Sequence, residues 1–243
     1  MLNIIYCELL KLKKSYIIPV AVIGGMFMSV LMILASLVFK EGVETFEQYS
    51  SNLQVPNILL IDTILFSLVA GYVFSREFSD KTSSVVYAYP VSRIKIFIGK
   101  LITIDMLISL VYLVEVISIY LGYYILNHTL PESSFIISDI KYNIYSLVAQ
   151  FLIIPIPIVI TNMSKNLILP VIYGIFGTIV TIVSSGKMLQ IGEYVPLIAP
   201  YKFIMKVYRP NLVDVNYSVI SAILCFIISM TICIYQYNKD DIV

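Results

Sequence analysis

Long apolar segments alternate along the chain with shorter polar ones. Six of these segments have about the 20 apolar residues that a helix needs to cross a bilayer. They are continuous rather than alternating, and they are about twice as long as a membrane β-strand, so helices are expected. The pattern predicts an all-α polytopic membrane protein with six transmembrane helices, over residues 16–39, 57–75, 101–126, 142–164, 166–186 and 215–238.

The first fifteen residues, MLNIIYCELLKLKKS, form a separate predicted element. Most of their apolar side chains recur at the i, i+3, i+4 spacing of one helix face. This favours a short amphipathic helix lying on the inner membrane surface. The alternative, a cytoplasmic extension of the first span, stays open. The stripe holds Leu2, Ile5, Tyr6, Leu9, Leu10 and Lys13, and the polar residues outside it are Glu8, Lys11 and Lys14.

Residues 76–100 are too charged to cross the membrane and too apolar for a plain linker. Ser79 or Asp80 can cap a short helix after the second span. Pro90 would end that helix, because the residue before a proline avoids the α region. Ser92 can then cap the helix that leads into the third span. The segment therefore predicts a short cytoplasmic helix held between two spans, where a partner can push on it.

The longest connection, residues 187–214, mixes apolar residues with Pro196, Pro200 and Pro210. One interpretation is a pair of broken helices that dip into the outer leaflet, provided that protein or a wet cavity satisfies their backbone groups. The other is a structured loop outside the membrane. The sequence does not decide between them.

Composition supports the membrane interpretation. Of the 243 residues, 59% are apolar and only 13% are charged, which is about half of the roughly 25% usual in soluble proteins. The net charge of +1 leaves no strongly basic face for nucleic acid. These values exclude a soluble enzyme, a nucleic-acid binder and a disordered chain. No repeat of about 20–50 residues is visible, so residues 1–243 are predicted to form one domain.

The distribution of lysine and arginine predicts the orientation. With the N-terminus inside, ten of the sixteen basic residues fall on the cytoplasmic side and six fall outside. Four of those six lie in the long last loop, which carries less weight than the short loops. Five basic residues lie in residues 76–100 alone. Both termini are therefore expected in the cytoplasm.

The chain carries no motif for catalysis of its own. It lacks G-x-x-x-x-G-K-[ST], a nucleophile elbow and H-E-x-x-H, and a phosphate cradle needs the glycine spacing of the first. The three cysteines form no disulfide or metal-binding pattern, and His128 stands alone. We expect no catalytic residue, no cofactor and no metal in this chain.

Three carboxylates fall inside predicted spans, where an unpaired charge is costly. Asp62 lies near the outer end of the second span and is expected to reach water. Asp105 lies near the inner end of the third span and is expected to snorkel or to pair with a base. Glu115 lies near the middle of that span. Two roles stay open for Glu115: lining a substrate path or assembly interface, or serving as a hydrogen-bonded structural carboxyl.

The layout resembles the ABC-2 type permease subunits of bacterial ATP-binding-cassette exporters. An amphipathic N-terminal helix, six spans, a basic loop after the second span and a proline-broken outer loop before the sixth all fit that family. The local match includes the string Glu8–Lys13 and then Glu77, Lys81–Thr82, Pro90–Arg93 and Lys100. The sequence departs from the family pattern at Lys81, where a glycine is frequent.

The resemblance implies a partner that supplies the energy. The permease would pair with itself or with a sister permease, and each copy would dock a separate cytoplasmic ATPase, which holds ATP and Mg²⁺. The N-terminal helix, with Glu8, Lys11, Lys13 and Lys14, would also contact that ATPase. The implied coupling residues are Arg76, Glu77, Asp80, Lys81, Tyr87, Pro90, Ser92 and Arg93.

The resemblance also implies a class of substrate. Small permeases of this kind serve lantibiotic immunity, bacitracin resistance and the export of amphipathic peptides across the bacterial cytoplasmic membrane. Two other functions stay open from the residues alone. One is a proton-coupled secondary transporter that uses Glu115, and the other is a non-transporting membrane sensor or assembly protein.

Overall fold

The computed structural model describes residues 1–39, 45–82, 91–186 and 190–239. All the regular structure in these ranges is helical. The fourth α-helix continues from the third through one π-helical turn, Asn57–Asp62, and two short 3₁₀ turns, Gln190–Tyr194 and Pro196–Ile198, precede the ninth. The α-helices are α1 (Leu2–Lys13), α2 (Ile17–Phe39), α3 (Phe46–Pro56), α4 (Thr63–Ser79), α5 (Arg93–Asn127), α6 (Ser133–Ile153), α7 (Pro155–Ser164), α8 (Ile168–Ser185), α9 (Ala199–Tyr208) and α10 (Asn216–Lys239).

Six helical stretches in the described ranges are long and apolar enough to cross a membrane, which confirms the predicted all-helical fold with six such helices. Three of them begin about two to three turns before the corresponding apolar segment of the sequence. The added turns carry polar side chains that find partners inside the protein, so hydropathy alone did not reveal them. The stretches are Ile17–Val38, Phe46–Ser79, Arg93–Asn127, Ser133–Ser164, Ile168–Ser185 and Asn216–Tyr237.

The helix Phe46–Ser79 lies at the centre of the bundle. In its most apolar window 61% of the residues are buried, against 22% for the first and last of the six helices. Two glycines allow α8 to approach it closely. A Cβ at Gly71 would lie 2.7 Å from Pro170 Cγ, and one at Gly174 would lie 3.0 Å from the Cα of Ile64. Small residues thus permit backbone contact at the centre, as is usual between membrane helices.

Prolines interrupt two of the long helices. Pro56 has no N–H to donate, and the π-helical turn Asn57–Asp62 follows it directly. In the fourth stretch α6 ends at Ile153 and α7 begins at Pro155. Such interruptions leave backbone carbonyls without their usual helical donor.

The last long connection is folded. Its 3₁₀ turns and α9 bury Ile198, Ala199 and Ile204, and α9 packs on α6 through the rings of Phe203 and Tyr145, whose centroids lie 5.7 Å apart. The described part of this connection thus contains short helical segments, a result that both interpretations of the sequence allow. Its depth relative to a membrane stays a prediction.

Candidate coupling site and buried polar clusters

Four charged side chains meet where α1 crosses the end of α4 and the beginning of α5. Lys11 Nζ lies 2.6 Å from Glu8 Oε1 and 3.0 Å from Glu77 Oε1. Lys100 Nζ lies 2.7 Å from the other oxygen of Glu77. We call Glu8, Lys11, Glu77 and Lys100 the charged cluster. It joins α1 to two helices that come much later in the sequence.

Glu8, Glu77 and Lys100 of the charged cluster are buried, Lys11 is partly exposed, and the charges of the four balance. Lys100 is 1% exposed and Glu77 is 4% exposed, and the Lys100 ammonium also lies 5.3 Å from the centre of the Phe74 ring. Two acids and two bases leave no net charge. Removing one member would leave an uncompensated charge, which is far more destabilising than losing an exposed ion pair.

The pKa of Lys11 reflects its place in the charged cluster. Burial disfavours its ammonium, but hydrogen bonding and attraction from Glu8 and Glu77 outweigh burial and raise the pKa of Lys11 above its ordinary value. Lys13 and Lys14, one turn further along the chain, are exposed. Only one of the three lysines in this region therefore belongs to the cluster.

Arg76 fixes the end of α1 by a different contact. Its Nη1 donates a 2.6 Å hydrogen bond to the backbone carbonyl of Lys11, one of the terminal carbonyls that no helical N–H can reach. Its Nε lies 3.3 Å from Asp80 Oδ2, and its guanidinium lies 5.9 Å from the centre of the Tyr72 ring. The cationic side chain also opposes the partial negative charge at a helix C-terminus.

The end of α4 explains the departure from the family pattern at Lys81. This residue has φ 54°, in the left-handed region that glycine adopts most easily. The Thr82 N–H donates to the Glu77 carbonyl at 2.9 Å, and the Lys81 N–H donates to Phe78 at 3.2 Å. These two bonds form a Schellman motif, the arrangement in which glycine is the usual residue. The chain makes the same turn with lysine.

The other predicted coupling residues lie at the surface or outside the described residues. Asp80 and Lys81 are exposed. Ser92 stands at the N-cap position of α5, as predicted, but its side chain makes no capping hydrogen bond, and Arg93 is the first residue of that helix. Tyr87 and Pro90, together with the short helix expected before Pro90, lie outside the described residues.

Glu8, which the sequence pattern left outside the apolar stripe of α1, lies on the face of α1 that packs against the protein. Glu8 is 6% exposed, whereas Leu2 and Tyr6 on the opposite face are 82% and 62% exposed. The exposed apolar face agrees with a helix at a membrane surface. Gly99 on α5 allows the close contact, since a Cβ there would lie 2.7 Å from Ile4 Cγ2. Spacing alone could not reveal that Glu8 is buried beside Lys11, whose ammonium also reaches the distant Glu77.

A second polar site lies in the interior of the bundle, where α4 begins. Asp62 is 1% exposed and faces the carboxyl group of Glu115 on α5, which is 6% exposed. Asn57 Nδ2 donates to Glu115 Oε1 at 3.2 Å. We call Asp62 and Glu115 the carboxyl pair. The expectation that Asp62 reaches water was wrong, because the helix continues eleven residues before Asn57 and covers it with protein.

A third polar site surrounds Asp139, an acid that the sequence placed in a loop. Its oxygens accept hydrogen bonds from Gln54 at 2.9 Å, Asn143 at 3.1 Å and Tyr120 at 2.8 Å. Asp139 is fully buried. The Tyr208 hydroxyl donates to Gln54 Oε1 at 2.7 Å and so ties α9 to this site. We call Asp139 and its three donors the Asp139 cluster.

Asp105 takes part in none of these sites. It is half-buried on α5, and its Oδ1 has no hydrogen-bond partner. Among the residues that the structure describes, no group of three His, Cys, Asp or Glu side chains could hold a metal ion.

A cavity of about 440 Å³ lies at the other end of the bundle, between α8, α9 and the residues before α10. Lys202 and Arg209 line it together with Glu193 and Asp214. Burial lowers the pKa of Lys202, although Glu193 and Asp214 act in the opposite direction. The cavity therefore offers both signs of charge beside apolar walls.

The family model for the ABC-2 family transporter proteins matches residues 4–181. The chain belongs to the ABC-2 transporter family. The match runs from α1 to α8 and includes the charged cluster and the carboxyl pair. The protein is thus a multi-pass membrane permease of a family that has no catalytic activity of its own and works with ABC ATPase subunits.

One relative of this permease has a named substrate. The chain is 26% identical over 200 residues to the bacitracin transport permease protein BCRB of Bacillus licheniformis. That alignment covers 82% of this chain and 92% of the relative. No solved structure matches the chain.

Proposed function

We propose that this permease exports an amphiphilic peptide, bacitracin or a similar compound, and that a separate cytoplasmic ATPase drives it. The permease acts as a dimer, with itself or with a sister subunit. The ATPase docks where α1, the end of α4 and the beginning of α5 meet. ATP and Mg²⁺ are bound by the ATPase and not by this chain.

The charged cluster is the observation that supports the docking face. Residues 83–90 connect the exposed ends of α4 and α5, so a partner that moves this connection moves both helices. The ion pair between Glu77 and Lys100, with 2.7 Å between its charged atoms, joins these helices to each other. The ion pair between Lys11 and Glu77 joins them to α1. Because Glu77 and Lys100 are buried, separating them is unfavourable, and the three elements are expected to move as one body.

Orientation follows from the basic residues. The lysines and arginines of α1 and of the ends of α4 and α5 lie at one end of the bundle, and this end is expected to face the cytoplasm. The mixed-charge cavity with Lys202 and Arg209 then faces outward. It is our candidate for the place where an amphiphilic peptide is released.

The substrate proposal depends on the relative. BCRB is named a bacitracin transport permease, and the two chains align over most of their lengths. Membership of the ABC-2 family favours an ATP-driven exporter over both a proton-coupled secondary transporter and a non-transporting sensor. The mixed-charge cavity suits a peptide that carries both polar and apolar groups.

Site-specific crosslinking tests the docking face. Ser92 and Ser134 are both exposed and lie next to opposite ends of the bundle, so they make a matched pair for a cysteine crosslinker. In a Cys7→Ser background, because Cys7 is an exposed thiol, Ser92→Cys should crosslink to a cytoplasmic ATPase in the native membrane, and Ser134→Cys should not. Crosslinking at Ser134, or no ATPase at either position, would overturn the proposal.

Growth assays test the substrate. A bacitracin-sensitive host that expresses the permease with its ATPase should tolerate several-fold more bacitracin than the host alone. Lys100→Met should remove this protection, whereas Lys95→Met, at an exposed position on the same helix, should not. Protection without the ATPase would contradict an ATP-driven exporter, and protection against other peptides but not bacitracin would redirect the substrate assignment.

A further inference from the structure

The carboxyl pair is short of hydrogen-bond donors. Neither carboxylate oxygen of Asp62 has a hydrogen-bond partner, although the side chain is 1% exposed. The Glu115 carboxyl lies within hydrogen-bonding reach of Asp62. When both groups are ionised they are acceptors only, so this contact satisfies neither of them.

A neighbouring amide shows the same shortage. Asn57 is 1% exposed and directs its Nδ2 at Glu115 Oε1 at 3.2 Å. Its own Oδ1 is buried beside the pair and has no donor. Three buried acceptor atoms on two side chains, Asp62 and Asn57, are therefore unsatisfied at one point, and native structures rarely leave such groups unpaired.

No basic side chain relieves the charge. Among the described residues, neither carboxyl has a cationic partner. The adjacent helices α2 and α8 contain no Asp, Glu, Lys, Arg or His, and the other titratable group that faces the pair is Tyr112 on α5, whose hydroxyl is bonded to Ser146 at 3.0 Å. Two negative charges buried together inside the membrane would be prohibitively unfavourable.

We propose that Asp62 and Glu115 bind one proton between them and form a proton site inside the membrane. One group is a carboxylic acid whose O–H donates to the other, which stays a carboxylate. The proton thus supplies the missing donor and halves the buried charge. This assignment does not depend on the docking partner or on the substrate proposed above.

Buried polar side chains continue from the carboxyl pair toward one end of the bundle. Ser50, Gln54 and Asn57 follow one another at i, i+4 and i+7 along one buried face of the helix Phe46–Asp62. They lead from the Asp139 cluster to the pair. Toward the charged cluster the same helices present buried apolar side chains, including Val69, Val73 and Ile108.

The π-helical turn Asn57–Asp62 holds both Asn57 and Asp62. Such turns are rare and occur frequently at functional sites. A change in protonation of the pair would act on the one segment of this helix that lacks regular α-helical bonding. The proton site therefore includes the irregular turn of this helix.

Infrared spectroscopy of the purified full-length protein in lipid tests the proposal directly. A protonated carboxylic acid has a C=O stretch that a carboxylate lacks. We expect this band in the wild type at neutral pH, shifted in D₂O, and we expect Asp62→Asn/Glu115→Gln to remove it. The control Asp139→Asn should keep the band, because Asp139 accepts three hydrogen bonds and is expected to be ionised.

Other outcomes contradict the proposal. If the double variant loses two carboxylate bands and the wild type shows no acid band for it to lose, both groups are ionised. A shift of the carboxylate bands when Na⁺ replaces choline would show a metal-ion site instead of a proton site. Any acid band that Asp105→Asn removes belongs to Asp105 and is subtracted.

The pH dependence of stability decides the matter if the double variant does not fold. A folded state that binds one more proton than the unfolded state loses stability as pH rises. We expect the melting temperature of the wild type to fall as pH rises through neutrality, and Glu115→Gln, which keeps the shape of the protonated group, to reduce that fall. The same decline in wild type and Glu115→Gln would overturn the assignment.

Discussion

The charged cluster and the carboxyl pair are built from the same two helices and differ in how their charge is balanced. Glu77 and Asp62 lie on one helix, and Lys100 and Glu115 lie on the other. Each pair of positions is fifteen residues apart, or about 22 Å along a helix. In the charged cluster the two helices bring an acid, Glu77, against a base, Lys100. In the carboxyl pair they bring two acids, Asp62 and Glu115, against each other.

The comparison shows that the protein neutralises buried carboxylates with its own basic side chains at one site and not at the other. In the charged cluster two ammonium groups neutralise two carboxylates, and α1 is fixed to the bundle as a result. Beside the carboxyl pair the described residues offer no base, and we assign a proton to take its place. The first site is suited to transmit force, and the second is suited to sense or hold a proton.

The largest expected effect breaks the charged cluster. Lys100→Met keeps the apolar stem of the side chain and removes its charge, which leaves Glu77 buried with only the half-exposed Lys11. We expect a loss of about 3–5 kcal/mol in the free energy of unfolding. The control Lys95→Met, at an exposed position one turn earlier, should change it by about 0.5 kcal/mol or less. Thermal unfolding in detergent measures both.

The next prediction compares the same chemical change at the two sites. Glu77→Gln leaves Lys100 without its charge partner and should cost about 3 kcal/mol or more. Glu115→Gln replaces a group that shares a proton by a neutral amide of the same shape and should cost about 1 kcal/mol or less. Equal losses in unfolding measurements at neutral pH would remove the distinction between the two sites.

A smaller loss of stability is expected from a substitution that pushes α1 away from α5. Gly99→Ala would place a Cβ 2.7 Å from Ile4 Cγ2, and overpacking of this kind costs about 1–3 kcal/mol. The added variant Ile4→Ala should recover part of the loss. In a Cys7→Ser background, alkylation of Leu12→Cys, at a position on the buried face of α1, should become faster when Gly99→Ala is added. An unchanged alkylation rate would contradict the contact.

The smallest effect is expected at the turn after α4. Lys81→Gly relieves a left-handed backbone conformation that costs a side-chain-bearing residue about 1 kcal/mol. The greater freedom of glycine in the unfolded chain offsets part of this gain. Unfolding should therefore show a stabilisation below about 1 kcal/mol, whereas Lys95→Gly, inside α5, should destabilise by about that amount.

The sequence predicted much of the fold because the relevant signals are local. Segment length, hydropathy and the absence of charge determine whether a helix can cross a membrane, and all three can be read from neighbouring residues. The family resemblance at Glu77 and Lys81–Thr82 was also local, and the Schellman turn at Lys81 agrees with it. The extra turns before Asn57 were missed because Ser50 and Gln54 are polar.

Tertiary structure alone decided which polar groups meet. Glu8 is buried where α1 packs on the ends of α4 and α5. Its partner Lys11 also bonds to Glu77, which is 69 residues away from Glu8 along the chain. Asp62 is buried because Glu115 and Asn57 lie around it. These contacts depend on how helices pack, and packing depends on side chains from the whole bundle at once. The sequence by itself determined a six-helix ABC-2 permease, and the packing decided where its few charges are paired and where a proton is needed.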